Sequence, residues 1–418
     1  MVTGSRKLSL SRLLVFYMAA LGVLAVIGWM PKVLPYSVAS PMLPPNVRLT
    51  DLLYYKAKID HMSGPVMGGP GPTFNYPAPA AYVFAFFLRS ATPVKKFYAC
   101  AGLAMLLFVA AAWHILQSSR DRSKWIAAAF FGTIAVSTPF YFALDRGNLE
   151  WVSWIFVVLA LSCFLSRRYL ATALLLGLAV CMKPFPILFF LLLLHRKRYR
   201  ETLVGLAVAG GITAFCIDRL GPSFLASYRG LSKGFATYFS SYVTALHPRL
   251  ESRFDHALMG LLRKAMSIHF IVGDDPMSLS GPAVPLWARL DLWYYFFVLV
   301  ALATVLFIAV WYRRRPVTNT ILAISVACSV LPFASAEYTL LNLFFPLLLV
   351  LIALQQQGSR VDLWQAATLG LLGLALLPLG PELRSYVGAA KCCILIALFI
   401  CSIKSRFVIS EFDRYAQA

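Results

Sequence analysis

Charge is what this sequence has least of. Only 13% of its 418 residues are charged, and only 17 of them are acidic; a soluble domain carries roughly 25% charged residues. That shortage excludes a water-soluble globule, a disordered chain and a coiled coil. Paired cysteine motifs are missing as well. Cys100, Cys163, Cys181, Cys216, Cys328, Cys392, Cys393 and Cys401 lie in or beside apolar stretches, and none forms a C-x-x-C pair. They read as small buried hydrophobes, with neither a disulfide framework nor a zinc site. No clustered D-x-D and no internal repeat is visible.

Apolar sequence fills the space. Hydrophobic residues make up 60% of the chain. They form runs at roughly 13–30, 97–117, 125–143, 151–165, 169–194, 201–217, 291–312, 317–333, 338–354, 363–378 and 386–403, with a weaker run at 77–90. About twelve spans of about 20 residues each need roughly 240 apolar-rich residues, which the chain can supply. The expected architecture is therefore an all-α polytopic membrane protein: one integral membrane domain over 1–418, built as a bundle of about twelve transmembrane helices with outer-side juxtamembrane helices. Two polar stretches, 31–76 and 218–290, are long; with the weak run, the first outer loop extends over 31–96. Arg6, Lys7 and Arg12 precede an apolar run that lacks a clear small-residue cleavage site, so the N-terminus reads as an uncleaved first span.

The 38 basic residues give a net charge of +21. They cluster between apolar runs, which makes them topology anchors rather than a nucleic-acid surface. Short loops marked by Arg120, Arg122 and Lys124, by Arg167 and Arg168, by Arg196, Lys197, Arg198 and Arg200, by Arg313, Arg314 and Arg315, and by Arg360 join the N-terminus and the tail with Lys404 and Arg406 on the cytoplasmic side. These segments hold 19 basic and 5 acidic residues, against 19 and 12 in the remainder. Two segments must bend for this assignment. At 14 residues, 77–90 reaches only about 21 Å, short of a roughly 30 Å hydrocarbon core, and is expected to lie at the outer surface or re-enter. The run 169–194 has basic clusters at both ends and is too short to cross twice; it is expected to form a hairpin turning at Lys183-Pro184. Both termini then lie inside, and the short tails suggest a bacterial cytoplasmic membrane.

This topology puts Asp51, Asp60, Asp145, Glu150 and Glu337 on the outer side, near span ends, where acidic residues are costly and often functional. No ATP or nucleotide sugar is available there, so chemistry needs a lipid-carried or otherwise exported activated donor. Segment 47–62 reads as a helix, with Thr50 as N-cap and Gly64 as stop. Asp51, Tyr54, Tyr55 and Lys58 fall on one face at i, i+3, i+4 and i+7. A carboxylate beside tyrosines suits deprotonation of a sugar hydroxyl; equally, Asp51 could only favour the helix dipole. Asp60-His61 is the rival acid/base pair. The turn from Asp145 to Glu150, with Arg146 and Asn148, packs charged and amide groups as a polar substrate would require. Lys183 is an isolated cation in an apolar hairpin, either a phosphate ligand or a snorkelling lysine. Glu337-Tyr338 could hold an acceptor or cap a span. The 218–290 loop, basic and aromatic, reads as helices lying on the membrane.

Taken in order, these pieces resemble the polyprenyl-phosphate-sugar-dependent membrane glycosyltransferases of the GT-C fold, above all glycosyltransferase family 87, which includes mycobacterial phosphatidylinositol-mannoside mannosyltransferases. Asp51-Leu52-Leu53-Tyr54-Tyr55 looks like that family's Asp-aromatic-x-x-Tyr stretch. Phe74-Asn75-Tyr76-Pro77-Ala78-Pro79 resembles its Tyr-Pro-Pro motif, with Ala78 departing. Arg146-Gly147-Asn148-Leu149-Glu150 resembles its Gly-Gln-x-Asn turn, with Asn148 where glutamine is usual. Cys181-Met182-Lys183-Pro184 matches its Leu-Lys-Pro hairpin, and Glu337-Tyr338 falls where the family often has acidic or histidine residues. The resemblance implies an inverting hexosyltransferase at the outer face. A hexose such as mannose would pass from a polyprenyl-phosphate donor to a lipid or glycan acceptor. Asp51 is then the general base and Lys183, with Arg146, neutralises the leaving phosphate. Tyr54, Tyr55, Tyr76, Asn148, Glu150, Glu337 and Tyr338 would bind substrate, and no metal or other cofactor is implied. Two rival readings remain at this stage: a transporter or flippase of lipid-linked sugars, and an outer-face ligase with a diphosphate-linked donor.

Overall fold

A computed structural model describes residues 8–33, 49–60, 74–118, 124–242, 255–262, 264, 290–358, 360–378 and 386–413. Among them the chain is almost wholly helical. The N-terminal half runs α1 (Leu10–Val33), α2 (Thr50–Leu53), α3 (Lys56–Asp60), α4 (Ala78–Leu88), α5 (Pro93–Ser118), α6 (Lys124–Val136), α7 (Pro139–Arg146), α8 (Glu150–Leu165) and α9 (Tyr169–Met182). A 3₁₀ turn at Phe185–Phe189 leads to α10 (Phe190–His195), α11 (Tyr199–Arg219), α12 (Phe224–Tyr242), α13 (Leu290–Trp311) and α14 (Val317–Val330). A second 3₁₀ segment, Glu337–Leu343, opens α15 (Phe344–Gln356), followed by α16 (Leu363–Leu376), α17 (Val387–Lys404) and the short α18 (Ser410–Asp413). A ladder two residues long joins β1 (Leu8–Ser9) antiparallel to β2 (Arg360–Val361).

Each expected apolar run is a helix or pair of helices. Among the described residues six helices are long and apolar enough to cross a membrane, and seven shorter apolar helices accompany them. The weak run 77–90 is the 11-residue α4, about 16 Å long, too short to span, as its length foretold.

Sequence that is apolar on every face has two possible surroundings. In the segment Glu337–Gln356, 94% of the span is buried inside the bundle, whereas in Tyr294–Arg314 only 11% is. The first forms the centre together with α14, every residue of which is buried. The second presents Tyr295, Leu299, Leu302, Leu306 and Val310 outward, as a lipid-facing helix does. Around the centre, the rings of Phe108, Phe130, Trp154 and Phe344 pack with centroids 4.9–5.9 Å apart and join α5, α6, α8 and α15.

The hairpin is visible in how α9 and α11 pack. The Arg198 guanidinium lies over the Tyr169 ring at 4.5 Å. Further along, Gly177 abuts the Gly205 carbonyl, and the Cys181 thiol donates to the Ala209 carbonyl at 3.6 Å. The two helices therefore run side by side in the same direction, and residues 183–195 must carry the chain back. Lys183 is the extended residue where it turns, because Pro184 cannot continue the α9 hydrogen-bond ladder.

Two identical turns sit at the other end of that hairpin. Ser166-Arg167-Arg168 and Arg196-Lys197-Arg198 share their backbone angles, with Arg167 at φ 61° and Lys197 at φ 58°. In each, the last residue donates to a carbonyl five positions back and starts the next helix, the Schellman geometry with a basic residue where glycine is usual. Arg196 also donates to the Phe412 carbonyl, Asp413 accepts from the Val317 amide, and Gln357 reaches the Arg406 carbonyl. The basic clusters at 167–168, 196–200, 313–315 and 404–406 thus gather at one pole, here called the arginine end. Lys183 marks the opposite pole, about 21 Å away along the 14-residue α9.

All eight cysteines are free, and all but Cys393 are buried or half-buried. His61, and most of the polar segments 31–76 and 243–289, lie outside the described residues. So does Gly64, the expected helix stop.

Candidate active site

Segment 47–62 does not form the single helix expected of it. The chain enters at Leu49, whose φ of 51° puts it in the left-handed region, and whose amide donates to the Asp145 carbonyl at 2.7 Å. Thr50 is the first helical residue and not the cap, and a turn at Tyr54-Tyr55 separates α2 from α3. The turn rotates the expected face. Leu52, Tyr55 and Lys58 are buried, while Tyr54 is 49% exposed and touches the others only edge-on through Tyr55.

Tyr55 anchors this piece. Its hydroxyl donates to Asn75 at 2.7 Å, and its ring meets Phe74, Tyr76 and Phe84 with centroids 5.0–5.8 Å away. The Phe74-Asn75-Tyr76-Pro77 stretch therefore forms the wall on which the Asp51 helix rests, and Pro77, without an amide to lose, starts α4.

The second wall is the turn between α7 and α8. Gly147 has φ 70°, and a Cβ there would meet the Leu52 Cβ at 2.7 Å and the Leu52 nitrogen at 3.1 Å. Only glycine suits both the dihedral and the contact. This close approach brings Asp51 to its partners. Arg146 donates to Asp51 Oδ1 at 2.5 Å, and the Asn148 amide donates to Asp51 Oδ2 at 2.6 Å and to the Tyr76 hydroxyl at 3.1 Å. The Asn148 oxygen accepts the Glu150 backbone amide at 2.8 Å, which fixes the amide's orientation and caps the start of α8.

Lys183, at the hairpin turn, completes the cluster. Its ammonium lies 3.5 Å from Glu150 Oε2, 4.3 Å from the Tyr76 ring centroid and 5.6 Å from that of Tyr338. Desolvation, reinforced by the Asp51 and Glu150 carboxylates, pushes the Tyr76 phenol well above its ordinary pKa, so it stays a neutral hydroxyl. The side chains of Asp51, Arg146 and Lys183 keep 14%, 15% and 21% of their surface open, whereas Glu150 keeps 7%. The groups able to meet a ligand reach the surface, and those that hold them do not.

Asp51, Tyr55, Tyr76, Arg146, Asn148, Glu150, Lys183 and Tyr338 are thus brought together from five separate stretches of chain. Glu337 is adjacent but differently engaged. Its Oε2 accepts from Lys391 at 2.5 Å and from Thr138 at 2.9 Å, and its Oε1 is buried with no hydrogen-bond partner among the described residues. Tyr54 stands apart on the exposed side. The Asp60 side chain is outside what the structure describes, as is His61. Sequence reasoning missed Lys391, although a lone lysine in an apolar run was the signal that had singled out Lys183. It also missed a buried knot in which His256 bonds with Ser335 and Thr339, and Asp255 accepts the Ser335 amide. Part of the 218–290 loop is therefore pinned into the bundle beside Glu337 and does not simply lie on a surface. Among the described residues no group of three or more His, Cys, Asp or Glu is placed to hold a metal ion.

The chain matches the model of glycosyltransferase family 87 over residues 74–336. It belongs to that family. No curated protein matches it. Membership makes the chain a membrane-spanning glycosyltransferase, as the order of its motifs implied, and sets the transporter reading aside. The family 87 match begins at Phe74 and so leaves out Asp51. It includes Arg146 and Asn148, which hold the Asp51 carboxylate, and Tyr76, Glu150 and Lys183, which pack beside them.

Proposed function

We propose that this glycosyltransferase transfers a hexose from a polyprenyl-phosphate donor to a lipid or glycan acceptor, at the outer face of a bacterial cytoplasmic membrane. The observation that carries the reading is the Asp51 cluster: one partly open carboxylate paired with a partly open cation, Arg146, and a second partly open cation, Lys183, held nearby by Glu150 and Tyr76, at the pole opposite the arginine end. The positive-inside bias assigns that arginine end, and with it both chain termini, to the cytoplasm.

The reaction is a single inverting displacement. Arg146 and Asn148 occupy one lone pair on each Asp51 oxygen, and a carboxylate has further acceptor sites, so an acceptor hydroxyl can bind there as well. That hydroxyl oxygen forms a bond to the anomeric carbon as its proton passes to Asp51. The bond from the anomeric carbon to the phosphate oxygen breaks on the opposite face, and its electron pair leaves with the lipid phosphate. Lys183 and Arg146 meet the charge that develops there, and because Glu150 and Tyr76 already hold Lys183, little reorganisation is needed. Tyr76 and Tyr338 line the sugar's place, Tyr55 and Asn148 support it from the buried side, Tyr54 stands at its open edge and Glu337 lies behind. Mannose is the sugar the family resemblance favours.

A donor panel tests this reading. Proteoliposomes containing the full chain receive polyprenyl-monophosphate mannose, its glucose counterpart or a diphosphate-linked sugar, together with membrane lipid extract as acceptor. A new glycosidic product from a monophosphate donor is expected. Product only from the diphosphate donor identifies a ligase and overturns the proposal.

A further inference from the structure

The arginine end holds a cavity of about 540 Å³, within the range of ligand sites, and it plays no part in the transfer chemistry. Arg167, Arg196 and Arg198 line it, opposed by Glu201 and Glu411. The two matched turns supply these arginines, so their placement is fixed by backbone geometry at 166–168 and 196–198 and not by flexible side chains alone. We propose that this cavity binds the phosphodiester headgroup of a membrane phospholipid.

Three features of the lining select that ligand. Guanidinium groups match a phosphate's oxygens in pairs. The glutamates opposite, with Asp413 beside Arg196, offset most of the arginine charge, which disfavours a highly charged nucleoside di- or triphosphate and suits a phosphodiester with its single negative charge. At the rim, Leu170 is 54% exposed and Leu165 joins it in the lining, so an acyl chain can follow the apolar edge while the headgroup stays at the span ends, the depth at which bilayer phosphates lie. The Arg198–Glu201 pair, 3.7 Å apart and with Arg198 half exposed, is weak enough to yield to a ligand.

The test uses the full chain in detergent after delipidation. Retained lipid is counted by native mass spectrometry, and the thermal midpoint is followed on adding phosphatidylglycerol, a diacylglycerol of the same chains, or inorganic phosphate. Phosphatidylglycerol should restore one tightly held lipid and raise the midpoint, and the other two should not. Arg167→Gln with Arg198→Gln should weaken that binding roughly tenfold or more, while Lys197→Gln, next to but outside the cavity, should leave it unchanged. If the double variant does not fold, Arg198→Gln alone carries the test. Equal lipid retention by wild type and variant overturns the proposal, and so does a full midpoint shift with inorganic phosphate, which would mean a free anion is the ligand.

Discussion

The chain makes the same turn at both poles of the bundle, and it fills the left-handed position differently each time. At the arginine end Arg167 and Lys197 occupy it, with φ of 61° and 58°. At the opposite pole Gly147 occupies it with φ 70°, and its amide and that of Asn148 close the same pair of hydrogen bonds. A side chain in that conformation costs roughly 1–2 kcal/mol. The arginine end tolerates this cost because the side chains project as charge anchors. At the Asp51 pole it cannot be tolerated, because a Cβ there would come within 2.7 Å of the Leu52 Cβ and 3.1 Å of its backbone nitrogen. The same backbone motif thus anchors charge at one end and seats a helix at the other.

Five substitutions would break or sharpen that contrast. Asp51→Asn keeps the side chain's shape but removes the proton acceptor, so transfer should fall by about 10²–10⁴-fold, the usual worth of a positioned base, with expression unchanged in membrane blots. Gly147→Ala should come next. The added Cβ strains the turn and forces α2 outward, and a displacement of about 1 Å in a reacting group costs on the order of 10²-fold; the same transfer assay reads it. Tyr55→Ala should destabilise the protein by about 3–5 kcal/mol by removing a buried ring, whereas Tyr54→Ala should cost about 1 kcal/mol or less. Detergent thermal melts of the two variants test whether the turn at 54–55 has rotated Tyr54 off the face. Smallest of all, Lys197→Gly should change stability by no more than about 1 kcal/mol, because relief of the left-handed strain is offset by glycine's greater freedom when unfolded, and should leave transfer intact. Equal losses for Gly147→Ala and Lys197→Gly would remove the distinction between the poles.

Much of the bundle was legible because apolar runs and basic clusters are direct readouts of the bilayer as solvent. The hairpin followed from an arithmetic conflict, since a run too short to cross twice had basic residues at both ends and a proline in the middle. The Asp51 cluster was legible for another reason. Polar side chains at span ends are rare enough to be noticed one at a time, and five stretches carrying them converge. What stayed hidden depended on contact. Nothing in the local pattern around Tyr54 and Tyr55 signals the turn, because Asn75, 20 positions on, fixes Tyr55 and not Tyr54. Glu337 and Lys391 are 54 positions apart, and neither predicts the other. The matched turns escaped notice because Arg-Arg-Tyr and Lys-Arg-Tyr look like ordinary charge clusters until their backbone angles are compared.

The central claim is that the Asp51 pocket faces the side of the membrane away from the basic clusters, where only a lipid-borne sugar can reach it. The most direct measurement is sided thiol labelling of Tyr54→Cys, an exposed position three residues from Asp51, in a Cys393→Ser background that removes the exposed native thiol. In sealed right-side-out vesicles, a membrane-impermeant maleimide should label position 54 without permeabilisation. Labelling that appears only once the cytoplasmic face is opened would contradict the account.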